Sequence, residues 1–237
     1  MSRPRVTIRE MVDPGDPSLG PAHRLLRRTF HRDETVDLTD WRETLKERAA
    51  RVWTDLAWHL IVAERAGKVV GMVSGSYLGS VNVGMVGYLA LDTTLRGQGI
   101  GPRLRARLRA CFDRDARRVC GRPLDAIVGE VSHDNPWLRH LVARERAIAL
   151  DIPYSQPALR PGDDPSRLVL YYQPLARPRR YLGVAETRRL LYSLWRRLYR
   201  IPQPLKRPAF RRMLRSLEGR KRVGGKRLPP PEPRTKA

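Results

Sequence analysis

Little in this 237-residue chain is suited to cross-linking, metal capture or crossing a membrane. Two cysteines, Cys111 and Cys120, are too few for a disulfide framework. No grouping of His and Cys has metal-ligand spacing, so no metal is expected. No apolar run approaches the ~20 residues that span a bilayer. The opening Met1-Ser2-Arg3-Pro4-Arg5 leads into a strand rather than an apolar signal segment, so the expected location is the cytoplasm. Two phosphate-binding signatures are missing as well. There is no Gly-Lys-Ser/Thr loop, and no G-x-G-x-x-G followed about 20 residues later by a ribose-binding carboxylate.

Lysine is scarce, with six residues against 41 arginines, and acidic residues are scarce at one end only. Residues 1–175 hold 27 Lys/Arg against 21 Asp/Glu, whereas residues 176–237 hold 20 against 3. A basic end suits nucleic acid, anionic lipid or an acidic partner. Arginine in place of lysine is equally what a coding bias leaves behind. A hydrophobic content of 41% is enough for a core in one domain with extensions.

Periodicity supplies the elements. Arg5–Met11 alternates as a strand, Pro21–Phe30 reads as a helix, and Thr39 or Asp40 can cap a second helix with Trp41, Leu45 and Ala49 on one face. Strands follow at Trp58–Glu64, Val69–Leu78 and Val83–Leu91. A helix over Pro102–Val119 turns Leu104, Leu108, Cys111 and Phe112 to the sheet. Ala126–Val131 is a strand, and Asn135-Pro136 caps and opens a helix running to about Leu150. Ile152–Leu159 and Arg167–Tyr172 are the last strands. The order is β-α-α-β-β-β-α-β-α-β-β.

One junction in this order carries chemistry. The strand ending at Leu91 enters Arg96-Gly97-Gln98-Gly99-Ile100-Gly101, and a helix opens directly behind it. Glycines leave backbone N–H groups uncovered, and the helix start adds unpaired donors and the positive end of its dipole, which suits a pyrophosphate. The pattern Arg/Gln-x-x-Gly-x-Gly/Ala, with the strand before it and the element order around it, resembles the coenzyme A loop of the GNAT superfamily of N-acetyltransferases over residues 5–175.

That resemblance implies an α/β fold. Its central sheet is mixed and mostly antiparallel, flanked by helices, and two parallel strands splay apart at the cofactor site. It implies acetyl-CoA as co-substrate and transfer of the acetyl group to an amine. Leu89 and Leu91 would offer backbone contacts, Arg96, Gly97, Gln98, Gly99, Ile100 and Gly101 would hold the diphosphate, and Asn135 would touch the pantetheine. Most amines are protonated at pH 7, so a proton must be removed to free the attacking neutral amine, and Glu130, at a strand end, or His133 can accept it. The tyrosine that commonly protonates the departing thiolate in this family is replaced here by Leu141, Val142 and Ala143, leaving Tyr154 as a substitute.

Beyond residue 175 a basic amphipathic extension is expected over 176–219, then a disordered tail over 220–237. Val184–Arg200 places Leu190, Leu191, Leu194, Trp195 and Leu198 on one face and arginines on the other, and Ala209–Glu218 reads as a short second helix stopped by Gly219. The apolar face needs a partner surface, the chain's own or a second copy's. The competing expectation is a degenerate binding protein whose extension docks on nucleic acid or an anionic membrane.

Overall fold

The computed structural model describes residues 5–160, 162–226 and 228. Contacts group the chain into two units, Met1–Ile127 with Ala158–Asp163, and Val128–Pro157 with Asp164–Ala237. The change in composition at Ala176 therefore does not coincide with the boundary between units.

In the first unit, four strands form an antiparallel run in chain order: β1 (Val6–Met11), β2 (Leu56–Arg65), β3 (Lys68–Leu78) and β4 (Val83–Leu91). Ile8 faces Ala63, Ile61 faces Val73, and Gly71 faces Leu91. The β3–β4 register slips at Gly87, the extra residue between the pairs Ser74–Tyr88 and Gly75–Val86. Such a bulge bends the strand that follows it.

Helices α1 (Leu19–Thr29) and α2 (Leu38–Ala49) share a core with Met11, Leu60, Val62, Met72 and Ala90. The N-cap of α2 is Asp37, not Thr39 or Asp40. Asp40 instead accepts the Asp37 N–H at 2.9 Å, so the carboxylate acts one turn inside the helix. Helix α3 (Ile100–Cys120) buries Leu104, Leu108, Cys111, Phe112 and Asp115.

Asp115 is buried because it meets His59. The fully buried His59 imidazole holds Glu10 Oε1 through Nδ1 at 2.7 Å and Asp115 Oδ2 through Nε2 at 2.6 Å. Arg48 pairs with Glu10 at 2.6 Å, and the Cys111 thiol donates to Glu10 at 3.4 Å. Ligand atoms of Glu10, His59 and Cys111 lie within 4.8 Å of one another, a grouping that spacing along the chain does not reveal. Both imidazole nitrogens are engaged by carboxylates, and a protonated ring balances that charge. Burial opposes the imidazolium, but hydrogen bonds to Asp115, Cys111 and Glu10 overcome it and raise its pKa to about 10. Burial likewise opposes ionisation of Glu10 and Asp115, and their bonds to His59 hold both below the usual carboxylate range.

The pH dependence of stability follows. The unfolded imidazole titrates near ~6.5, so the stabilisation from His59 is complete below that pH and is lost as pH rises toward the folded value. The two carboxylates contribute fully above their unfolded values near ~4 and lose that contribution on acidification. Thermal unfolding across pH should give the highest midpoint at about pH 5–6.5 and a fall on the alkaline side. In His59→Gln that alkaline fall should flatten, and an unchanged slope would show that His59 is not its source.

In the second unit, β5 (Ala126–Val131) continues from the first unit and lies beside β9 (Val169–Pro174), which pairs antiparallel with β6 (Ile148–Ala149). Helix α4 (Pro136–Arg144) opens on Asn135 and Pro136 but stops six residues short of its expected end. Arg146 turns left-handed at φ 58°, and the apolar run after it is buried as β6 rather than as helix. Periodicity alone does not separate the two outcomes in so short a run. The strand expected over 152–159 shrinks to β7 (Ser155–Gln156), paired with β8 (Ser166–Arg167), because Pro153 and Pro157 have no N–H for a ladder.

The basic extension is folded in this same unit. Helix α5 (Val184–Ser193) passes into a π-helical turn over Leu194–Leu198, in which the Tyr199 N–H reaches back five residues to Leu194 O at 3.0 Å. After Pro202 and Pro204 comes α6 (Pro208–Arg215). Leu190, Leu191, Leu194, Trp195, Phe210 and Met213 are buried, while Leu198 is half-buried. The Trp195 indole N–H donates to Ser155 O at 3.1 Å, and its ring lies 5.2 Å from that of Phe210.

Part of the tail expected to be disordered is ordered. Residues Arg222–Gly224 form β11 against β10 (Tyr181–Gly183), because Val223 faces Leu182 and both are fully buried. One buried valine among charges is too small a pattern to show in composition. Residues 227 and 229–237 of that tail lie outside the described residues. Among the described residues no helix is long and apolar enough to cross a membrane.

Candidate active site

Two features carry chemistry, one in each unit. The first begins at the end of β4. Asp92 N–H donates to Val70 O at 2.9 Å, which makes 70 and 92 a hydrogen-bonded pair of the β3–β4 ladder. Antiparallel pairs alternate, so Leu91 and Leu89 turn their N–H groups away from β3. Their backbone is thus free of this ladder on the segment aimed by the Gly87 bulge.

Beyond Leu91 the Asp92 carboxylate accepts from Thr94 N at 3.0 Å and Thr94 Oγ1 at 2.7 Å, closing a 3₁₀ turn over Thr93–Leu95. Leu95 is buried and anchors that turn. Gly97 and Gly99 are left-handed, at φ 79° and 71°, a conformation that favours glycine. The space beside both is open, with no heavy atom within 4 Å of where a Cβ would stand. Gly99 is the N-cap of α3, which begins at Ile100, two residues before the start expected at Pro102. Ile100 is buried, fixing the helix start, and Arg96 and Gln98 are exposed on the loop. The first turn of a 21-residue helix therefore points its unpaired N–H groups and dipole at an open, glycine-walled surface.

The second feature is centred on Glu130. Its carboxyl accepts two phenol hydroxyls, Tyr154 on Oε1 and Tyr199 on Oε2. Tyr154 is fully buried, on the short link before β7. Tyr199 comes from the end of the π-helical turn. Burial raises the Glu130 pKa to about 7, against the two phenol bonds that lower it. Burial and the adjacent Glu130 push the Tyr154 phenol well above its ordinary value. The result is a carboxyl that changes charge near neutrality, held between two phenol donors, of which Tyr154 stays protonated.

The other predicted residues stand outside this cluster. Asn135 caps α4, its side chain accepting the Trp137 N–H at 3.0 Å. His133 is exposed in the turn before α4, its pKa lowered by desolvation and by the Lys226 ammonium.

Residues 23–129 match the model of the acetyltransferase (GNAT) family. The match is thus to a GNAT acetyltransferase domain over that segment, under half of the chain. No curated protein matches the chain. Solved structures of similar fold include a GNAT-family protein from Bacteroides thetaiotaomicron, 18% identical with a TM-score of 0.59, the match covering 83% of this chain and 99% of that one. Another is the ribosomal-protein-alanine N-acetyltransferase from Brucella melitensis, 20% identical with a TM-score of 0.50, covering 71% and 99%. Ard1 from Thermoplasma volcanium is 17% identical with a TM-score of 0.50, covering 73% and 99%. At these identities the likeness is one of fold: mixed α/β, mostly antiparallel, with flanking helices.

The matched segment contains β4, the glycine loop and all of α3. Glu130 and Tyr154, expected separately as base and acid, are direct partners. Tyr199 had no signal in the sequence. It lies 69 residues from Glu130, between Leu198 and Arg200, at the end of a helix whose visible pattern concerns packing.

Proposed function

We propose that the protein is an acetyl-CoA-dependent N-acetyltransferase acting on an amine. The observation that supports this best is the left-handed glycine pair Gly97 and Gly99 between β4 and the N-terminus of α3, inside the segment that matches the family. The loop residues Arg96–Gly101 would hold the diphosphate by backbone N–H groups, and Leu89 and Leu91 would offer N–H groups to the acyl arm. A thioester supplies an activated acetyl group, and the chain supplies position and proton handling. Glu130, titrating near neutrality, would take a proton from the ammonium form of the acceptor, directly or through water. Asn135 is the further proposed contact to the pantetheine, its amide nitrogen remaining after the carbonyl has capped α4.

Calorimetry with acetyl-CoA tests the first half, and release of free thiol with a panel of small amines, polyamines and peptides tests the second. Saturable binding with acceptor-dependent thiol release is expected. Failure to bind acetyl-CoA would sink the proposal, whereas binding without thiol release from any amine would reduce the domain to a ligand-binding one.

A further inference from the structure

We propose that the outer face of α5 and α6 binds the phosphodiester backbone of nucleic acid, through Arg188, Arg189, Arg196, Arg207, Arg211 and Arg212. All six side chains are exposed. Carboxylates in the neighbourhood are few: Glu186 pairs with Arg179 at 2.6 Å, Asp151 with Arg220 at 3.5 Å, and Glu218 is exposed beyond the end of α6. Among the described residues no ion pair neutralises the six. A cluster of like charge without internal compensation repels itself, and an external polyanion relieves that repulsion.

The two helices meet at Tyr192. Tyr192 stands one turn after Arg188 and one turn before Arg196, and is 43% exposed. Its ring lies 6.3 Å from Phe210 on α6, edge to face. Arg207 and Arg211 lie within one turn of Phe210, so this contact sets the stretch of α6 that carries them against the stretch of α5 that carries Arg188 and Arg196. An exposed aromatic ring among guanidinium groups is the combination that stacks a base while the backbone is held by charge. Guanidinium groups also match phosphate oxygens in a two-pronged geometry.

Coding bias does not account for this surface. Such a bias exchanges lysine for arginine but leaves acidic residues in place, as in residues 1–175 with 21 of them. Residues 176–237 differ by losing acids, retaining 3 against 20 basic residues. Insertion into a lipid surface is disfavoured because the apolar side of the extension is already used. Leu190, Leu191, Leu194, Trp195, Phe210 and Met213 are all buried within the unit. What remains outside is charge with three scattered side chains, Tyr181, Tyr192 and Leu205, a surface that suits a polyanion rather than a bilayer interior. The proposal is independent of acetyl transfer.

Fluorescence anisotropy of the full chain tests it, with labelled 20-nucleotide single-stranded RNA and 20-base-pair duplex DNA over a range of KCl from about 50 to 200 mM. The expected result is binding that weakens steeply and log-linearly with salt. The triple variant Arg188→Glu, Arg196→Glu, Arg211→Glu should weaken binding at least about a hundredfold and reduce the salt slope by about 2–3. Tyr192→Ala should weaken single-strand binding about tenfold. An unchanged circular-dichroism spectrum shows that the variants fold. Wild-type protein that binds neither probe at the lowest salt overturns the proposal, as does a folded triple variant with unchanged affinity. Capture by phosphatidylglycerol vesicles without nucleic-acid binding overturns it in favour of a membrane surface. Nucleic-acid binding without acetyl-CoA binding would leave this surface standing and remove the transferase.

Discussion

Gly99→Glu is expected to abolish acetyl-CoA binding in a chain that still folds. Three effects add at this residue. Its φ of 71° is left-handed, so any side chain other than glycine costs about 1 kcal/mol in the loop. The side chain enters space that is open in the structure and that the diphosphate would need. Its carboxylate also places negative charge at the positive end of α3, where a dianionic group is proposed to sit. A loss of at least a hundredfold in affinity, about 2.7 kcal/mol, is expected by calorimetry. Gly99→Asn separates strain from occlusion, because asparagine tolerates the left-handed region and carries no charge. It should bind more weakly than wild type but clearly better than the glutamate variant. A folded Gly99→Glu protein with wild-type affinity would remove the loop from the site.

The loop and its strand were legible because both are local. The apolar alternation of Val83–Leu91 and Ala126–Val131 fixes those strands at the boundaries observed, each bounded by turn residues. The glycine spacing 97, 99, 101 is a contiguous pattern, and two of the three glycines prove to be left-handed. What failed to show depends on distance along the chain. His59 meets Glu10 and Asp115, respectively 49 and 56 residues away, and nothing in any one segment announces the triple. Tyr199 reaches Glu130 from the end of a π-helical turn, a backbone event that a period of 3.6 residues does not anticipate. The helix after Asn135 was overextended for the opposite reason. Ala147–Leu150 is apolar enough for either element, and pairing of Ile148 with Tyr172 decided it.

Glu130→Gln is expected to lower turnover by about 10²–10³ and to change the shape of the pH profile. With the Glu130 pKa near 7, the active carboxylate forms as pH rises through neutrality, so the wild-type rate should climb over that range and then level. The amide is isosteric but accepts no proton, so this rise should vanish. The residual rate should recover only at higher pH, where the free amine is already neutral. Tyr199→Phe supplies a second readout. It removes one of the two donors that oppose the burial of Glu130, so the pKa should move further up and the rise should shift to more alkaline pH. A purely structural contact would lower stability in this variant without moving the limb. If Glu130→Gln retains a rise in rate centred near pH 7, another group removes the proton, and the Tyr154–Glu130–Tyr199 cluster is then a structural clasp for the extension.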